Sequence, residues 1–158
     1  MKNDPIRDHL ARAFEWKEAH ATFDQAVEGI PADKRGARAP GFEHSAWQLL
    51  EHIRLAQDDL LDFCRNAEYV HTMKWPDDYW PRSPEPPSAQ AWSESLAGYK
   101  RGLVDFQQLV RSVDDLAAKV PTGKESQTYL RSILLVIDHT AYHVGQIVVL
   151  RRALGIWH

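Results

Sequence analysis

Two histidines four residues apart, His139 and His143, interrupt the most apolar stretch of the chain. On a helix that spacing sets both side chains on one face with Cβ atoms roughly 6 Å apart, so both imidazoles can reach one ion. A pair seldom completes a metal site, and the third ligand has to come from a facing helix at a matching depth. His52, near the middle of its own predicted helix, meets that condition. Three neutral imidazoles around a borderline divalent cation leave one or more positions for water or substrate, the arrangement of a catalytic centre rather than a closed structural one. The plainer reading is that buried histidines only make hydrogen bonds. Burying them in an aliphatic stripe is costly unless they are paired or metallated, and no carboxylate within a turn on that face offers pairing. Metal ligation by His52, His139 and His143 is therefore the expectation.

The neighbouring residues divide by helical angle. Glu51 and Asp138 each precede a histidine by one position, about 100° around the helix, which removes them as general bases beside the ion. Tyr142 and Gln146 lie three residues past His139 and His143, on or beside the ligand face, and are candidates to support a ligand or bind a cofactor. Their plainer role is packing and an internal hydrogen bond. His44, eight residues before His52 and about 80° away, reads as solvated surface at the mouth of a pocket. No role is assigned to His9, His20, His71 or His158, and Cys64 reads as a small buried hydrophobe.

The elements that must position these groups follow from periodicity and caps. Asp4-Pro5 predicts the start of a first helix, and Ile6, Leu10, Phe14, Phe23 and Val27 carry it to about Glu28. Gly36, Pro40 and Gly41 mark residues 32–41 as a loop. A second helix is predicted from Glu43 to Asn66, a third from Ser88 to Lys119, and a fourth from Ser126 to Leu154, closed by Gly155. Between the second and third, residues 67–87 hold five prolines interleaved with Trp75, Tyr79 and Trp80, which excludes a regular helix. These aromatics, like Trp16 and Trp92, are expected to fill the core. The expected fold class is all-α, one domain over residues 1–158: a four-helix bundle whose long second connection is able to cross its full length.

Composition narrows the function. The 158 residues carry a formal net charge of −3 without a basic run, so no nucleic-acid partner is expected; Arg151 and Arg152 suit a helix C-terminus. A single cysteine and a start without an apolar leader fit a reducing cytoplasm. The greasiest segment, Ile133 to Ile137, stops at Asp138-His139, so no membrane span is expected.

The stretch Asp138-His139-Thr140-Ala141-Tyr142-His143-Val144-Gly145-Gln146-Ile147, followed by Leu150-Arg151-Arg152-Ala153-Leu154-Gly155, resembles the last helix of DinB-like (DinB/YfiT) proteins. Trp47-Gln48-Leu49-Leu50-Glu51-His52-Ile53 is similar to their second helix, and His20-Ala21-Thr22-Phe23-Asp24 is similar in kind to part of their first. The resemblance implies a four-helix bundle with a three-histidine centre at His52, His139 and His143, zinc or nickel as the divalent metal, and a homodimer. Relatives that are characterised include S-transferases and isomerases using low-molecular-weight thiols such as mycothiol or bacillithiol, and others are described as metal-dependent hydrolases. The leading expectation is transfer of such a thiol to an electrophilic small molecule, because coordination deprotonates a thiol. The alternatives are hydrolysis by metal-bound water, which would want a nearby carboxylate base, and a non-catalytic metal-binding or dimerisation module.

Overall fold

The computed structural model describes residues 4–157, so the unassigned His158 lies outside the described residues. Asp4 caps α1 (Pro5–Ala13) as its sequence predicts, its carboxylate accepting from the Ile6 and Arg7 backbone N–H groups. The helix does not continue to Glu28. Between Phe14 and Phe23 the stripe is not buried, since residues 15–20, Trp16 included, are exposed, and Thr22 opens a separate α2 (Phe23–Val27) through a capping box with Gln25. A 3-10 turn, Ala32–Lys34, follows within the expected loop.

Ser45 and Gln48 form a second capping box, so α3 (Ala46–Arg65) starts three residues later than the hydrophobic period suggests. The connection of residues 66–88 contains one short 3-10 turn, Asp77–Tyr79. Ser88 caps α4 (Ala89–Ser112). That helix stops short of Lys119 because Asp115 turns the chain: its carboxylate accepts from the Ala117 N–H and its carbonyl from the Ala118 N–H. Thr128, not Ser126, caps α5 (Tyr129–Ala153), and Gly155, with φ of 69°, closes it. Among the described residues the protein is all-α, with five α-helices and no strand; a lone bridge joins Lys119 to Thr128.

Side-chain contacts fix the directions. Glu51 meets Ser95 and Arg65 meets Asp105, so α3 and α4 run parallel and the 66–88 connection returns along their length. His52 meets His139 and His143, whereas Cys64 lies by Ser132, so α5 runs antiparallel to α3. Arg7 reaches the Val110 carbonyl, Gln107 reaches the Ala11 carbonyl, and Phe23 stacks on Tyr99, which lays α1 and α2 in succession along α4. Two apolar clusters result. One gathers Val27, Leu50, Ile53, Trp92 and Ile147 at one end; the other gathers Ala11, Phe63, Phe106, Val110 and Ile133 at the other.

By length and composition α5 is apolar enough to cross a membrane, so the interruption at Asp138-His139 lowers its hydropathy less than the sequence reading assumes. Its Ile133, Val136, Val144, Ile147 and Leu150 are buried against the other helices. Arg151 is buried as well and does more than suit the helix end: it donates to the Gln25 and Ala26 carbonyls and so ties α5 to the last turn of α2.

Candidate metal centre

His52 comes from the middle of α3, and His139 and His143 from consecutive turns of α5, so the antiparallel packing of these two helices aims all three rings at one point. The His139 Nε2 lies 3.0 Å from the His52 Nε2 and 3.1 Å from the His143 Nε2. The candidate ligand atoms all fall within 4.8 Å of one another.

The outer nitrogens of two rings are already engaged. The His52 Nδ1 faces the Tyr79 carbonyl at 3.0 Å, a pure acceptor, so Nδ1 carries the proton and Nε2 keeps its lone pair. The His143 Nδ1 donates to the Gln146 Oε1 at 2.7 Å, and the Gln146 Nε2 donates in turn to the Tyr142 hydroxyl at 3.2 Å. Two lone pairs therefore point at the His139 Nε2, which has one proton at most to give. One of the two short nitrogen contacts is then lone pair against lone pair unless a cation sits among them. That donor set fits a divalent metal, held by three Nε2 atoms whose rings are oriented by Tyr79 and Gln146.

Burial keeps the rings neutral. Desolvation lowers His52 to about 4, with further lowering from the charges His143, His139 and His44 would carry. Desolvation and the neighbouring His143 take His139 to about 4. His143 is lowered too, chiefly by burial, against the upward pull of its bond to Gln146.

The two carboxylates next to the ligands in sequence stay away from the rings. Against the upward push of burial, hydrogen bonds from Arg54 and Ser95 hold Glu51 below its ordinary value and turn it toward α4. Asp138 is exposed. Neither is placed to serve as a base, in agreement with their helical angles.

The centre opens into a cleft of about 790 Å³. Its walls correct the reading of the aromatic connection. Tyr79 is buried, at 2 % exposure, but Trp75 and Trp80 line the cleft, and Trp75 is 58 % exposed. Trp80 stacks on His52 at 3.8 Å between ring centroids and, on its other face, on His44 at 3.7 Å. His44 is thus half-buried cleft wall rather than solvated surface. Trp16 is exposed while Trp92 and Cys64 are core. Tyr142 and Gln146 both line the cleft, Tyr142 with its ring 4.9 Å from that of His143.

The sequence gives no hint of the Tyr79 carbonyl, nor of what holds it. The Tyr79 hydroxyl donates to the Asp59 Oδ2 at 2.6 Å, and Tyr69 donates to the Asp59 Oδ1 at 2.8 Å. Asp59 lies seven residues past His52, two turns along the same face of α3, so one helix grips Tyr79 at both backbone and phenol. His9 and His20 are exposed and remote; His71 touches the Tyr79 hydroxyl from outside.

A family model described as the DinB superfamily matches residues 15–147, which include all three histidines. No curated protein matches the chain.

Proposed function

The chain belongs to the DinB superfamily, and from that premise we propose that it is a metal-dependent enzyme which transfers a low-molecular-weight thiol to an electrophilic small molecule. The carrying observation is the convergence of three Nε2 atoms on one point at the floor of an open cleft. His52, His139 and His143 would hold the ion, zinc or nickel by the chemistry of an all-imidazole donor set. A bound divalent cation supplies Lewis acidity, which lowers the pKa of a coordinated thiol into the neutral range. The protein's own residues do the rest. Tyr79 and Gln146 orient two of the ligand rings, and Trp75, Trp80 and Tyr142 wall the space where the electrophile sits. The sulfur forms a bond to the electrophilic carbon, the leaving group departs with the bonding pair, and the thiol proton passes to water.

Thiol transfer is favoured over hydrolysis because a hydrolase wants a carboxylate base beside its nucleophile. Glu51 is committed to Arg54 and Ser95, and Asp138 faces solvent. Glu43 does line the cleft, but it is exposed. The same premise supports a four-helix bundle in which α1 and α2 together fill one position.

Two measurements test the reading. Cobalt-loaded protein should show a new sulfur-to-metal absorption band when 2-mercaptoethanol is added; an unchanged spectrum, together with turnover of an activated ester without thiol, would select hydrolysis instead. The His143→Ala variant should lose most of its bound metal while its helical circular dichroism persists. Equal metal content in variant and wild type removes the three-histidine centre from consideration.

A further inference from the structure

We infer that the electrophile is a neutral, planar aromatic compound, clamped between Trp75 and Tyr142 above the histidine centre; this rests on the metal-centre reading and names the substrate class for that site. The first ground is the distribution of exposed apolar side chains. Trp75 is 58 % and Tyr142 63 % exposed, and both, with the half-exposed Val149, stand on this one cleft. Large aromatics left in water beside a concave site gain most when a ligand covers them.

The second ground is where they stand relative to the floor. The Trp75 ring lies 6.0 Å from that of His52, and the Tyr142 ring 4.9 Å from that of His143. One aromatic wall comes from the connection and the other from α5, with the ligand rings of α3 and α5 below. Trp80 does not serve as a third free wall, because both its faces are covered by His44 and His52.

Charge supplies the third ground. Among the described residues no lysine or arginine lines the cleft, and Glu43 is the one carboxylate that does. An anionic substrate would meet no basic side chain on the described cleft walls, and a cationic one would be repelled by a bound divalent ion. A neutral molecule avoids both penalties. The volume, about 790 Å³, suits a small organic ligand rather than a peptide.

Gly145 gives the means of testing this without touching a ligand residue. It lines the cleft, and a Cβ built there meets no protein atom within 4 Å, so a side chain added at this position starts in open cleft space. Binding is read on zinc-loaded protein without thiol, by tryptophan fluorescence and calorimetry, using naphthalene-2-carboxamide and its saturated counterpart cyclohexanecarboxamide. The aromatic amide should bind about tenfold more tightly, and Trp75→Ala and Tyr142→Ala should each weaken it about tenfold, the scale of one lost stacking partner. Gly145→Leu should abolish binding with zinc content unchanged. In metal-free protein, naphthalene-2-carboxylate should bind more weakly than the carboxamide.

Equal binding of the two amides, indifference to both wall substitutions, or tighter binding of the carboxylate without metal would each overturn the assignment. Because no thiol and no turnover enter, aromatic binding without thiol chemistry would defeat the proposed reaction and leave this inference standing. Zinc-independent binding that vanishes in Gly145→Leu would likewise support the clamp while separating it from the metal reading.

Discussion

His52 contributes a usable lone pair only while its other nitrogen is held by the Tyr79 carbonyl, and that carbonyl stays in place because the Tyr79 phenol is tied to Asp59. Burial, and then the bond to Asp59, push the Tyr79 phenol above its ordinary pKa, so it remains a donor throughout the neutral range. The Tyr79→Phe substitution keeps the ring and the backbone but removes the donor to Asp59. It should weaken metal binding by about tenfold, the lower end of what loss of an orienting partner costs, with helical circular dichroism unchanged. A competition titration with a chelating dye reads this directly. Unaltered affinity would mean that packing alone fixes the carbonyl. The three ligands themselves are legible in the sequence because two share a helix at a four-residue spacing and the third sits at the same depth. Tyr79 is not, since a backbone carbonyl leaves no mark on residue type and its partner Asp59 is twenty positions away. His44 and Trp80 escape notice for a related reason: their roles come from stacking on each other, which no spacing rule encodes.

At the scale of helices, two glycines with the same intrinsic propensity have opposite meanings. Gly102 on α4 faces α3, where a Cβ would fall against the buried Gln57 side chain. With its amide turned to fit, Gln57 donates to the Tyr99 carbonyl at 3.0 Å and accepts from the Leu103 N–H at 3.3 Å. Gly102→Ala displaces that amide and should destabilise the protein by about 1–3 kcal/mol, the cost of leaving a buried polar group unpaired, despite alanine's better helix propensity. Gly145 has open space around it, so Gly145→Ala should stabilise by up to about 1 kcal/mol. Urea unfolding of the two variants checks the contrast in sign. Residue type does not separate the two glycines, because the close approach of α3 to α4 is a property of their parallel pairing. Where a cap accompanies the hydrophobic period, as at Asp4 and Ser88, helix starts are read correctly. Where the period runs across an unanchored stretch, as between Phe14 and Phe23, it joins two helices that the chain keeps apart.

For the molecule as a whole, the centre ties α3 to α5 beside the apolar clusters, and the free energy of keeping its rings neutral couples folding to pH. His52 and His139 titrate at about 4 in the folded protein but near 6.5 in an unfolded chain. Between those values the unfolded chain binds protons that the folded protein refuses. Their contribution is therefore complete above about pH 6.5 and is lost as the pH falls toward 4, so stability rises with pH across this window. Metal-free protein should show a thermal midpoint that drops steadily from pH 7 to pH 4. The double variant His52→Gln, His139→Gln should show a flatter profile, because its amides do not titrate. Metal retention follows the same logic: protons compete for the His52 and His139 nitrogens only near pH 4, and for His143 below its ordinary range, so the loaded protein should still hold its ion at pH 5.5, where histidines of ordinary pKa are mostly protonated. Metal content after dialysis against buffers of stepped pH measures this. Release of the ion with a midpoint near 6.5 would show that the rings are hydrated in solution, and the desolvation that makes them ready ligands would have to be abandoned.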